Sequence, residues 1–159
     1  MSEADGDDSA PAVADRRRWM GVLARGRRDE LEAAWAGLGD PPPFEWLRRP
    51  ETGLVMVRGR AGGDGAPFNL GEMTVTRCAV RLIGGGAGIA YIRGRDARKA
   101  ELAALFDAML QQAAHRAGIE AAVVEPLARA QAERASEASR RAAATKVDFF
   151  TMVRGDNPK

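Results

Sequence analysis

The sequence predicts an α+β fold: N-terminal helices, a four-stranded antiparallel meander, then two C-terminal helices and an extended tail. Three patterns carry that expectation. Apolar residues recur at helical spacing before residue 40 and after residue 95. Between residues 44 and 95 the chain alternates in strand fashion, broken by clusters of Gly and Pro. The connections between those strand-like runs are too short for parallel crossovers, which leaves an antiparallel meander.

Each element follows from its residues. Residues 1–14 are small and acidic, without periodicity, and read as a disordered leader. Asp15 can N-cap a helix in which Trp19, Val22 and Leu23 share a face, with Gly26 closing it. A second helix is expected from about Arg28 to Leu38, where Leu31, Trp35 and Leu38 recur at i, i+4 and i+7. Gly39 stops it, and Asp40-Pro41-Pro42-Pro43 forbids its continuation.

Phe44–Arg48 reads as a short first strand and Pro50-Glu51-Thr52 as its connection to a second, Gly53–Arg60. In the second strand Leu54, Met56 and Arg58 point opposite to Val55 and Val57. A Gly-rich turn over 61–67 leads to Phe68–Leu82, with a bulge or bend at Gly71. Gly84-Gly85-Gly86 then turns the chain into Gly88–Arg93.

Asp96 caps a helix expected to reach about Arg116, with Leu102, Leu105, Phe106, Met109, Leu110 and Ala113 as its apolar face and Gly118 as its stop. Val123-Val124-Glu125, ahead of Pro126, is expected to be extended. The last helix, about Leu127 to Lys146, is mostly Ala, Arg, Glu and Ser and reads as an arm rather than a core element. Residues 15–146 thus form one α+β domain, and 147–159 a docking tail. Val147, Phe149, Phe150, Met152 and Val153 make that tail dense in apolar side chains, each worth about 1.5–3 kcal/mol when buried. The receiving groove lies either on this chain or on another subunit.

Composition narrows the chemistry. Cys78 is the only cysteine and His115 the only histidine, so an intrachain disulfide and a thiolate-rich metal site are excluded. No metal site is expected. No apolar run approaches the roughly 18 residues of a membrane helix, and the acidic start has no signal-peptide core, so a cytoplasmic chain is expected. The net charge of +2 conceals a split: residues 15–159 hold 24 basic and 18 acidic side chains, and 21 of the basic ones are Arg.

Neither Gly-rich segment has the spacing of a phosphate-binding loop, and hairpin turns explain both. Arg77 and Arg81 lie four apart on one strand face, with Arg58 and Arg93 near neighbouring strand ends. These four are the candidates to face an anion, a substrate or an acidic partner. The bland alternative is a solvated sheet face with ion pairs to Glu51, Glu72 and Asp96. No zinc finger, RNP-type aromatic strand or helix-turn-helix signature is visible, and no paired carboxylates mark acid–base catalysis. The catalytic residues stay unassigned.

Taken together, several blocks resemble one family. They are Arg18-Trp19-Met20-Gly21-Val22-Leu23-Ala24, Glu51 to Arg60, Gly62 to Leu82, Gly94-Arg95-Asp96 and the tail from Val147 to Asp156. In that order the chain is similar to the PhnG subunits of the bacterial carbon–phosphorus lyase system, over roughly residues 16–156. The resemblance implies a required cytoplasmic subunit of the assembly that degrades organophosphonates. With PhnH, PhnI and the ATP-binding PhnL, such subunits are implicated in displacing adenine from ATP by methylphosphonate to give ribose 1-methylphosphonate 5-triphosphate.

The resemblance implies PhnI as the most direct partner, with PhnH, PhnJ and PhnK/PhnL-type ATP-binding proteins around it, and neither nucleic acid nor membrane insertion. It implies no cofactor in this subunit: ATP is a substrate of the assembly, and the iron–sulfur cluster and S-adenosylmethionine belong to PhnJ. It carries no catalytic residue onto any position here. It tilts the tail residues Phe149, Phe150, Met152 and Val153 toward docking on a partner. The alternative is a stand-alone module binding anions or nucleic acid.

Overall fold

A computed structural model describes residues 13–145. The expected tail contacts of Phe149, Phe150, Met152 and Val153 lie outside the described residues, as does nearly all of the leader. The N-terminal helices are α1 (Val13–Arg25) and α2 (Arg28–Ala36). Trp19, Val22 and Leu23 of α1 and Leu31 of α2 are buried, as their spacing requires. Helix α2 ends at Gly37 rather than Gly39, which instead takes a positive φ of 75° in the following turn.

One strand replaces the expected first two. The sheet has three antiparallel strands in the order β1-β2-β3: β1 (Phe44–Arg60), β2 (Pro67–Leu82) and β3 (Ala87–Arg93). Pro50 does not turn the chain because β1 is an edge strand, where a missing N–H forfeits no ladder bond. Register slips between Trp46 and Arg48, and between Arg48 and Glu51, absorb its geometry. A further slip opposite Asn69 and Gly71 is the bulge expected near Gly71. Gly62 and Gly63 adopt φ of 64° and 89° where β1 reverses into β2, and Gly84 adopts 72° where β2 reverses into β3.

The sheet has two unlike parts. Strand β3 pairs with β2 only from Val75 to Arg81, whereas β1 and β2 stay paired out to Arg60 and Pro67. Residues 54–60 and 67–74 therefore form a two-stranded arm beyond the third strand. Leu54, Met56, Phe68 and Leu70 stand on it 62%, 53%, 45% and 66% exposed. At the other end Thr76, Cys78, Val80, Leu82, Ala90 and Ile92 form one buried face.

Helix α3 (Ala97–Leu110) lies against that face. Asp96 caps it, its Oδ1 accepting the Lys99 N–H at 2.9 Å. The helix is buried nearly all round, from Leu102 to Leu110. Trp35 of α2 meets Phe106 edge-on with ring centroids 5.7 Å apart.

The single helix expected to reach Arg116 breaks at Gln111 and Gln112, and α4 (Ala113–Ile119) follows with Gly118 inside it. Gln111 turns its amide onto the Ala87 carbonyl at 2.8 Å, and the Arg116 guanidinium caps the Leu110 carbonyl at 3.0 Å. The Arg116 bond, with a second from the Gln111 amide to the Asp107 carbonyl at 3.0 Å, supplies partners to the end of α3, which a straight helix would have satisfied along its own axis.

Val123 and Val124 are not extended. They lie in a π-helical turn, Glu120–Val124, that leads without a break into α5 (Glu125–Ala144). Pro126 sits in the first turn of α5, where a missing N–H is tolerated. The C-terminal part thus has three α-helices and a π turn among the described residues, not two helices. Helix α5 runs beside α1 in the same direction, through Arg18–Glu125, Arg25–Gln131 and the nearby Glu30–Arg134 contact. From Ala135 onward every described residue is exposed. The arm-like reading of this helix holds for its second half.

Glu30 ties α2 to α5. Its carboxylate accepts from Arg134 at 2.6 Å and from the Arg27 N–H at 2.8 Å. Arg134 above all holds the Glu30 carboxyl below its ordinary range, so this tie is present at neutral pH and is lost as pH falls through the lowered value.

Cys78 is 1% exposed in the core, and burial pushes its thiol up to about 12. The native chain is therefore expected to resist iodoacetamide at pH 8 and to react only when unfolded. The thiol holds its proton longer when folded, so its contribution to stability is complete below its ordinary value of 9.0 and declines as pH rises toward 12. Thiol labelling with and without denaturant measures both states.

Candidate functional site

Strand parity places the candidate arginines. On β2, Cys78 and Val80 face the helices, so Arg77 and Arg81 point to the opposite, open face. Arg77 stands opposite Tyr91 and Arg81 opposite Ala87, which puts Tyr91, and Arg93 two residues on, upon that same open face. Arg58 parts company with them. It lies on the arm, on the side shared by Leu54 and Met56, opposite Asn69. Three of the four arginines share a face and one does not.

Their partners lie across the strands. Arg77 Nε donates to Glu51 Oε1 at 2.6 Å, and Arg48 binds the same oxygen. These two hydrogen bonds, Arg48 first, hold the Glu51 carboxyl below its usual range, and Glu51 in turn raises the Arg77 guanidinium. Arg81 stands 3.5 Å from Glu45, a looser approach. Glu51 was among the carboxylates expected as a bland partner; Glu45 was not.

Among the described residues no carboxylate comes within 4.0 Å of Arg58 or Arg93, and neither takes part in any of the twelve ion pairs found there. Exposed pairs of this kind contribute at most about 1 kcal/mol. Their arrangement matters more for what they can attract than for stability.

Next to Tyr91 the open face runs into a groove of about 420 Å³ between α1 and β3, lined by Val13, Arg16, Arg17, Met20, Ile89, Tyr91 and Gln111. A smaller recess of about 200 Å³ shares Met20, Ile89 and Tyr91 and reaches down to Leu23 and Ala103. The recess is lined by apolar residues, whereas the larger groove adds Arg16, Arg17 and Gln111.

Beneath the groove lies a carboxylate that sequence reasoning missed. Asp107 of α3 is 0% exposed. It accepts the Trp19 indole N–H at 2.9 Å, the Arg16 guanidinium at 2.8 and 3.2 Å, and the Ile89 backbone N–H at 2.9 Å. Gln111 adds a longer bond at 3.3 Å. Every direction open to a carboxylate is thus occupied, and the group acts as a clamp joining α1, α3 and β3. It has no lone pair free for proton transfer to a substrate. Among the described residues no three His, Cys, Asp or Glu side chains gather as metal ligands, and no helix is long and apolar enough to cross a membrane.

The family model for the phosphonate metabolism protein PhnG matches residues 14–155. The chain belongs to the PhnG family. A curated relative from Rhizobium meliloti (strain 1021), described as the alpha-D-ribose 1-methylphosphonate 5-triphosphate synthase subunit PhnG, is 51% identical over 157 residues, 99% of each chain. The family to which the sequence blocks pointed is therefore the right one.

The geometry of this chain adds features that those blocks did not reveal: the projecting apolar arm and the Asp107 clamp. The clamp had a sequence signal, since Asp107 is the lone acid in the apolar run from Leu102 to Leu110. The arm had one too, in Leu54 and Met56 alternating onto one strand face.

Proposed function

We propose that this chain is a required, non-catalytic subunit of a cytoplasmic ribose 1-methylphosphonate 5-triphosphate synthase in organophosphonate catabolism. In that assembly methylphosphonate displaces adenine from ATP, and this chain acts with PhnH, PhnI and PhnL. The near-full-length similarity to a named subunit of that synthase carries the reading. Two features of the chain support a structural role. The arm presents Leu54, Met56, Phe68 and Leu70 to solvent, as an element does when it is completed by a partner. The buried groups suited to chemistry are spent: Asp107 on the clamp, Cys78 on the core.

PhnI is the partner proposed to receive the arm and the tail, with PhnH and PhnJ and a PhnK- or PhnL-type ATP-binding protein farther out. The subunit carries no cofactor of its own in this reading, and ATP reaches the assembly as substrate. Arg77, Arg81 and Arg93 line a face suited to an anionic neighbour; Arg58, on the arm, faces whatever the arm enters.

Coexpression with the partner subunits tests the reading. The full chain is expected to copurify with PhnI and to restore growth on methylphosphonate in a strain lacking its own copy. A chain ending at Lys146, or one with Leu54, Met56, Phe68 and Leu70 all changed to Ser, is expected to copurify at least 100-fold less. Losing even two buried apolar side chains removes about 3–6 kcal/mol. Unchanged assembly and growth in both variants refutes the docking role. Specific micromolar binding of ATP, methylphosphonate or DNA by the isolated chain favours the stand-alone module instead.

A further inference from the structure

We propose that the groove between α1 and β3 receives an acidic segment of another synthase subunit, anchored by one large apolar side chain. The proposal rests on the subunit reading above and adds the place and chemistry of a contact. Val13, Met20, Ile89 and Tyr91 give the groove an apolar floor, and Val13, Ile89 and Tyr91 are 69%, 41% and 53% exposed. Such a floor at the edge of a covered sheet fits a single aliphatic or aromatic anchor.

Charge selects the rest of the partner. Arg17 lines the groove, and Arg93 projects from β3 two positions beyond Tyr91 on the same face. Among the described residues neither has a carboxylate within 4.0 Å. The carboxylates nearby are already engaged: Asp107 by Arg16, Glu51 by Arg77. Among the described residues, the groove lining therefore offers unspent positive charge and no carboxylate, and a segment bearing carboxylates on either side of its anchor completes it.

A second copy of this chain is a poor occupant, because a two-fold contact sets Arg17 and Arg93 against themselves. The chain's own residues 1–12 enter the fold at Val13, beside the groove, and carry Glu3, Asp5, Asp7 and Asp8. They meet the charge requirement but hold only Met1 as a large apolar side chain.

A photocrosslinking residue at Tyr91 in the assembled complex decides among these occupants. The expected product joins Tyr91 to a net-acidic peptide of a different subunit. A crosslink to residues 1–12, to another copy of this chain, or to a basic peptide overturns the proposal, as does a fully assembled complex that yields no crosslink. Failure of the complex to assemble around the unmodified chain overturns the subunit reading instead. As an independent measure, Arg17→Glu with Arg93→Glu is expected to weaken assembly at least tenfold and to reduce its salt dependence, while the two Arg→Lys changes stay within threefold. Equal affinity for the Glu and Lys pairs, with circular dichroism unchanged, also overturns it.

Discussion

Replacing Asp107 by Ala is expected to destabilise the fold by about 3–5 kcal/mol, the range for breaking a buried ion pair from one side. For a domain of this size that lowers the melting midpoint by roughly 10 °C or more. The loss comes from the groups left behind. The Trp19 indole N–H is sealed in the core, Ile89 presents a backbone N–H at the sheet edge, and the Arg16 guanidinium keeps its charge without an acceptor.

Asp107→Asn preserves the shape but turns part of an acceptor into a donor, so it recovers only part of the loss. A double-mutant cycle with Arg16→Met separates the ion pair from the three neutral donors, Trp19, Ile89 and Gln111. Melting of Asp107→Ala within 1 kcal/mol of the parent chain contradicts the clamp.

The second large effect is expected at Gly88, for a steric reason rather than an electrostatic one. A Cβ there falls 1.9 Å from the Ala104 carbonyl oxygen and 2.5 Å from the Ala108 amide nitrogen. Both are helix backbone atoms and cannot rotate aside, so β3 and α3 must separate. Overpacking typically costs 1–3 kcal/mol, and this contact lies at the upper end, about 3 kcal/mol for Gly88→Ala. The same change at Gly86, whose added methyl meets only the Gln111 Cβ at 4.0 Å, is expected to be nearly neutral. Urea unfolding of the two variants makes the comparison, and equal midpoints refute the close-packing account.

The sequence showed elements whose information is local. Trp19, Val22 and Leu23 announced a buried helix face by spacing, and Gly62, Gly63 and Gly84 announced the two reversals by their need for positive φ. Pro50 and Pro126 misled because the effect of a proline depends on its surroundings. On an edge strand Pro50 forfeits no bond, and in a first helical turn Pro126 forfeits none either. The helix break at Gln111 was invisible because its cause, the Ala87 carbonyl, lies on a strand 24 residues earlier.

The candidate site divides along the same line. Parity alone put Arg77 and Arg81 together, since a strand repeats every two residues. That Arg93 shares their face and Arg58 does not depends on how β1 and β3 are registered against β2. The pairing of Arg81 with Glu45 likewise required knowing which residues stand opposite across the ladder. Asp107 needed the most: four donors from three elements, none within three residues of it in sequence.

The clamp also orders events during synthesis. Arg16 and Trp19 lie 91 and 88 residues before the carboxylate that holds them. At about 5–20 residues per second, roughly 5–20 s of synthesis separate α1 from Asp107. During that interval the helix has neither its acceptor nor the strand it rests on, and the nascent chain displays Trp19 to whatever chaperone stands at the exit tunnel.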